Sequence, residues 1–261
     1  MQILSLLLFT GCSHPVPPGQ LDTSSPKGRD RAAIKRAIDI EDAGDPAKAV
    51  KILEGVYQHL PNNLIVLHEL AMASRQSGHP ERAVEILAPY ADQLPSDTLA
   101  QYGSALDDAG QSARAEEVLA AGIQKYPISG LLYSELGTTL LRQERYGEAF
   151  DYYLKGMNAE PSWPSNYLHA TEIVVDSDKP GMALIWGETF CLLEPGPRCD
   201  RIGKVMTDFL EKAVTSSEEN GKLTAQVHLS NGQLMMTAGP EGMSMGFLGM
   251  LEMRFTLAAI P

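Results

Sequence analysis

Five prolines, Pro61, Pro95, Pro127, Pro161 and Pro195, recur along the chain at intervals of 34, 32, 34 and 34 residues. Such a period means one supersecondary unit used five times. A unit of that size cannot bury its apolar face alone and must stack on its neighbours, which restricts the fold to a solenoid. With proline at position 32, the blocks run 30–63, 64–95, 96–129, 130–163 and 164–197.

The columns of this register explain the repeat. Position 8 reads Ala37, Ala71, Gly103, Gly137, Thr171, and position 20 reads Ala49, Ala83, Ala115, Ala149, Ala183. Two antiparallel helices approach to about 8 to 10 Å where the side chains at their crossing are small. Leu67, Leu70, Tyr102, Tyr133, Leu136 and Tyr167 flank the crossing from the first helix, and Leu53, Leu87, Leu119 and Tyr153 from position 24 of the second. Gly44, Gly78 and Gly110 stand at position 15, suited to the positive φ that ends a helix, and Pro46, Pro80 and Pro180 follow two residues later as helix starts. The closing proline lacks an N–H and clashes with the preceding turn. Each block therefore reads helix, tight turn, helix, stop.

With Tyr133, Leu136, Gly137, Leu140, Ala149, Tyr153 and Pro161 in place, residues 30–197 resemble the tetratricopeptide repeat family. The resemblance implies an all-α, right-handed superhelical solenoid that binds proteins or peptides on its concave face. It places first-helix positions 2, 5, 6, 9, 12 and 13 on that face, among them Lys35, Ile38, Glu41, Asp42, His68, Glu69, Met72, Arg75, Gln101, Ser104, Asp108, Glu135, Thr138, Arg142, His169 and Glu172. Acidic and apolar groups outnumber basic ones, so the expected occupant is a peptide with some positive charge and a few apolar anchors. Ile34 and Ile38 stand where members that clamp a C-terminal carboxylate carry Lys and Asn, which excludes that specialised use.

The N-terminus carries a second signal. Ile3 to Phe9 is apolar and leads into Thr10, Gly11 and Cys12, which resembles a bacterial lipoprotein signal, although Phe9 replaces the usual leucine and a basic start is missing. A start codon placed too late accounts for both departures. The resemblance implies removal of residues 1–11 and diacylation of Cys12. The alternatives are a buried free cysteine and a membrane anchor, for which seven apolar residues are too few, since a spanning helix needs about 20. Residues 12–29, rich in Pro, Ser and Gly, read as a flexible tether of roughly 20 to 25 Å reach. Ser13 in place of Asp favours the outer membrane, periplasmic side; a cytoplasmic location is the alternative.

Cys191 and Cys199 flank Glu194-Pro195-Gly196-Pro197 and suit either a disulfide in an oxidising compartment or two reduced thiols. Ile202, Val205, Met206, Phe209, Leu210 and Ala213 recur at helical spacing, predicting a capping helix over 198–220. Alternation from Leu223 to Leu229, then Asn231-Gly232, predicts a small β-hairpin within an α+β extension, 221–261. The tail from Phe247 to Ile260 reads as a strand or a short helix, and the stop at Pro261, just after an apolar run, points to a truncated reading frame. Residues 182–213, with Trp186-Gly187-Glu188 and Ile202-Gly203-Lys204, also resemble a segment that follows the repeats in a group of bacterial repeat proteins of no assigned function.

Enzymatic signatures are missing. The six histidines show no HxxxH or HExxH spacing, and the chain holds no serine elbow, phosphate-binding glycine loop or Cys/His pair of catalytic pattern. Asp107-Asp108, Glu116-Glu117 and Glu218-Glu219 diverge by about 100° on a helix and cannot flank one bond. A net charge of −12 without a Lys/Arg cluster argues against nucleic acid. No cofactor is expected. Met235, Met236, Met243, Met245, Met250 and Met253 read as gap-filling side chains, with Cu(I) thioether ligation as the alternative. The expectation is a non-enzymatic adaptor tethered to the bacterial envelope, of the kind found among pilus-assembly factors and adaptors of peptidoglycan enzymes. A cytoplasmic scaffold, or a docking arm for an active C-terminal segment, would fit the same repeats.

Overall fold

The computed structural model describes residues 19–175, 180–219, 222–229, 232–239, 242–247 and 251–255. Their contacts divide into two compact units, one ending at Gln111 and one starting at Ser112. Eleven α-helices stand among the described residues.

The first unit holds α1 (Gly28–Asp42), α2 (Pro46–Tyr57), α3 (Leu64–Gln76), α4 (Pro80–Leu87) and α5 (Ser96–Asp108). The predicted stops are where glycine is needed: Gly44, Gly78 and Gly110 have φ of +86°, +81° and +75°. The predicted starts hold too, with proline at the first turn of α2 and α4 and Asp45 capping α2 by accepting from the Lys48 N–H at 3.1 Å. Ala37, Ala49, Ala71 and Ala83 are fully buried, and Leu53, Leu67, Leu70 and Leu87 close the core around them. One element departs from the uniform reading. The second helix of block two stops at Leu87 and tightens into a 3-10 turn, Ala88–Gln93, because Pro89 offers no N–H and its ring clashes with the turn before it.

The tether expected over 12–29 is ordered from residue 19. Leu21 is buried, and its N–H donates to Gln93 Oε1 at 3.0 Å. Asp22 bridges to Asn63, its N–H donating to Asn62 O at 2.9 Å and its carbonyl accepting from Leu64 N at 2.8 Å. Asn63 caps α3 through Val66 and donates its amide to Asp22 Oδ2 and Ser24 O, so one buried side chain holds both the helix start and the incoming strand. Local composition does not encode this partner. Cys12 and residues 1–18 lie outside the described residues.

The second unit holds α6 (Ser112–Lys125), α7 (Gly130–Arg142), α8 (Tyr146–Ala159), α9 (Pro164–Val174), α10 (Pro180–Leu193) and α11 (Pro197–Ala213). Size at one column is matched by size at its partner. Where blocks one and two pair alanine with leucine, block four pairs Gly137 with Tyr153, and a Cβ on Gly137 would collide with the edge of the tyrosine ring. In block five Thr171 is buried and position 24 is Gly187, whose missing side chain leaves room for Met206 and Ile202 of α11. Leu168, Phe190, Ile202 and Met206 form one cluster there, so the capping helix is locked by the weakest match to the repeat. Cys191 and Cys199 are joined as a disulfide between the end of α10 and the start of α11.

The capping helix, expected to reach 220, ends at Ala213; Val214-Thr215-Ser216-Ser217, poor helix formers, continue as strand β1 (Val214–Glu219). The backbone then runs through β2 (Lys222–Leu229), β3 (Gly232–Gly239), β4 (Gly242–Phe247) and β5 (Leu251–Phe255), each antiparallel to the one before. Leu229 pairs with Gly232, so Gly232 belongs to a strand and not to the turn expected at Asn231-Gly232. The hairpin methionines stand in these strands, Met236 opposite Met245 and Met245 opposite Met253. Asn231, Met250 and the tail beyond 255 lie outside the described residues.

Candidate functional site

In the first unit the first helices pack side by side, α1 on α3 and α3 on α5, which gathers the expected binding positions of three blocks. Several of them are used by the fold itself. Arg75 on α3 donates to Asp108 Oδ2 at 2.9 Å and to Gln101 Oε1 at 2.6 Å, both on α5. His68 Nδ1 lies 3.0 Å from Thr98 Oγ1. Ser104 is buried, its hydroxyl donating to Ala100 O one turn back, and so serves the helix. Lys35 is exposed and paired with Asp39 at 3.6 Å. Ile38, Glu69 and Met72 remain half-buried.

Glu41 is the exception on this face. It is 7% exposed, and neither carboxylate oxygen has a hydrogen-bond partner among the described residues. Burial, then the nearby Glu69 and Asp42 charges, push its carboxyl up to about 7. Burial also raises Glu69, against the lowering effect of His68. The sequence places Glu41 on the face and says nothing of its burial.

In the second unit α7 packs against α9. Thr138 donates to Ser134 O at 2.9 Å and lies 3.3 Å from the Tyr153 hydroxyl, whose pKa burial pushes up to about 12. His169 stacks on Tyr153 with ring centroids 5.2 Å apart, and its Nδ1 meets Glu172 Oε2 at 3.0 Å. Arg201 of α11 reaches Glu172 Oε1 at 2.9 Å. Burial raises the Glu172 carboxyl, but the His169 bond and the charges of His169, Arg201 and Arg198 outweigh it and leave the group below its ordinary range. Leu141, Arg142, Tyr146, Glu172 and Ile173 line an open depression of about 560 Å³. Glu135 shares α7 with Thr138 and Arg142. Arg198 and Arg201, one turn apart on α11, are the signal by which the sequence could have shown the Glu172 partner.

Two further networks fasten successive blocks. Arg82 forks onto Glu54 at 2.8 and 3.1 Å and pairs with Glu85 at 2.7 Å, and Arg145 joins Glu116 to Glu148 at 2.9 and 2.7 Å. Among the described residues no three His, Cys, Asp or Glu side chains are grouped to hold a metal ion, and no helix is long and apolar enough to cross a membrane.

A sequence model of the tetratricopeptide repeat matches residues 42–107. Over those residues the helix pairs match the tetratricopeptide repeat. The solved structure of TTC0263, a thermophilic tetratricopeptide protein of Thermus thermophilus, is similar to 68% of the chain and 99% of its own length at 14% identity and a TM-score of 0.57. That of Pseudomonas aeruginosa PilF is similar over 70% and 89% at 18% identity and a TM-score of 0.53. At such identities the likeness concerns the tetratricopeptide fold alone. No curated protein matches the chain by sequence.

Proposed function

We propose that the chain is a non-enzymatic adaptor of the bacterial envelope, lipid-anchored at Cys12 and binding an extended or helical protein segment on its first-helix faces. The observation that carries the binding half is the contrast within the first unit: Arg75, Gln101, Asp108, His68 and Ser104 are engaged by the fold, while Ile38, Glu69 and Met72 are half-buried and the Glu41 carboxylate has no hydrogen-bond partner among the described residues. Apolar anchors beside carboxylates suit a basic, partly apolar partner. Support for the anchoring half is the Thr10-Gly11-Cys12 sequence together with a disulfide at Cys191 and Cys199, a bond that persists in oxidising compartments.

Two measurements test the halves separately. Mass spectrometry of the membrane fraction is expected to find Cys12 as a diacylated N-terminus; an unmodified Met1 in the soluble fraction contradicts the anchor. Crosslinked capture from envelope membranes is expected to lose its partner when Ile38→Asp and Glu69→Lys are combined, and equal recovery by wild type and variant contradicts binding on this face.

A further inference from the structure

The second unit carries a depression of about 560 Å³ where the last turns of α7 and α9 lie beside the first turn of α8. Leu141, Ile173 and Tyr146 supply its apolar lining, the first two half-buried and Tyr146 54% exposed, while Arg142 and Glu172 supply the polar lining. That volume falls in the range of roughly 300 to 1,000 Å³ in which proteins hold a ligand group against apolar walls with a few polar contacts. The two charges are not equally available. Both Glu172 oxygens are taken, Oε2 by His169 Nδ1 at 3.0 Å and Oε1 by Arg201 Nη2 at 2.9 Å, so an incoming cation would have to displace a partner already in place. Arg142 is exposed, and a guanidinium with five N–H donors can serve a further acceptor. We propose that this depression docks a large apolar side chain, Leu or Phe, from a segment of a partner protein, with an Asp or Glu one or two residues away in that segment paired to Arg142.

This inference rests on the reading that the first-helix faces bind a protein segment, and it names the chemistry that the second unit selects. The preference for an acidic segment follows from the charges at the site. Arg142 lines the depression, Arg201 neutralises the carboxylate in the lining, and Arg198, one turn from Arg201, pairs with Glu194 at 3.0 Å. The net charge of −12 on the whole chain is therefore not the charge an incoming side chain meets here. The depression is open, so the segment can run on past its docked residue, and the carboxylate is that of an internal Asp or Glu. Arg201 is a positioning residue in this account: it keeps Glu172 from repelling the incoming carboxylate.

The probe is a phage-displayed library of random dodecapeptides, panned on the full chain and counter-selected on the chain carrying Arg142→Gln and Tyr146→Ala, so that binders of this depression survive. Both residues are exposed, and circular dichroism checks that the variants keep the fold. Survivors, resynthesised with amidated C-termini, are expected to carry Leu or Phe within two residues of Asp or Glu. Changing the apolar residue to Ala is expected to cost about 20-fold in affinity, and changing the acid to its amide about 5-fold. Arg142→Gln alone removes the second difference and keeps the first. Arg201→Gln weakens the acidic peptide and spares its amide, whereas Lys155→Gln, on an exposed position of α8, changes neither. Survivors that are basic, that bind equally well as amides, or that keep their acidic preference in Arg142→Gln would each overturn the docking site. Counter-selection that removes every peptide places binding elsewhere on the chain and overturns this site alone. A library that enriches nothing on the wild-type chain overturns peptide binding itself, and the site with it.

Discussion

Individual residues carry the strongest departures from the repeat, and each has a measurable cost. Position 15 is glycine in three blocks, but in block four it is Glu144, held at φ 62°. An L-residue in the left-handed region costs roughly 1 to 2 kcal/mol, part of which glycine returns through its freer unfolded chain. Glu144→Gly is therefore expected to stabilise the second unit by about 1 kcal/mol in urea denaturation. Gly137 and Tyr153 form a size-matched pair. Gly137→Ala alone should cost about 2 kcal/mol by overpacking, and Gly137→Ala with Tyr153→Leu, which restores the alanine and leucine pairing of blocks one and two, should recover most of it. Glu41 contributes in the opposite sense from most carboxylates. Its folded pKa, about 7, stands above the ordinary value of 4.5, so the folded state holds a proton that the unfolded state has lost. Stability from this group is greatest below pH 4.5 and declines as pH rises towards 7, by on the order of 2 kcal/mol. Comparing denaturation of wild type and Glu41→Gln at pH 5 and pH 7.5 isolates it: the variant is expected to lack this decline. The burial that creates the effect depends on α3 lying against α1, which no local pattern at Glu41 discloses.

Among the elements, the helix pairs were legible because their causes are local. A glycine stop, a proline start and two small columns act within a single block, and the structure uses them at Gly44, Pro46, Ala37 and Ala49 as their spacing suggests. Pro89 was equally visible and explains the shortened α4, although the block register drew attention to the closing Pro95 instead. Harder to read were the contacts made by distant segments: Leu21 and Asp22 docking on Asn63 and Gln93, and Met206 filling the gap over Gly187. The join between α10 and α11 offers a direct test. The Cys191 and Cys199 bond spans a separation of 8 residues, and closing so short a loop is worth about 2 kcal/mol. Cys191→Ser, or reduction, is expected to lower the stability of the second unit by that amount and to expose the Phe190, Ile202 and Met206 cluster, readable as faster amide exchange in α11.

For the molecule as a whole, repeats account for the shape of the core and leave the chemistry to what the core does not need. A chain of net charge −12 selects against phosphate-bearing partners and favours basic ones. Large apolar side chains also stand exposed on α10, Ile185 at 66% and Leu192 at 82%, and provide a competing surface against which the first-helix face can be judged. Photocrosslinking decides between them. A benzophenone amino acid at Met72, on the first-helix face, at Leu192 on α10, and at Ile128, which is 76% exposed between helices, would be activated in envelope preparations and the adducts identified by mass. The expected result is a discrete partner adduct from Met72 and none from Leu192 or Ile128. Adducts from Leu192 alone, with Met72 silent, would contradict the claim that this scaffold works through its first-helix face.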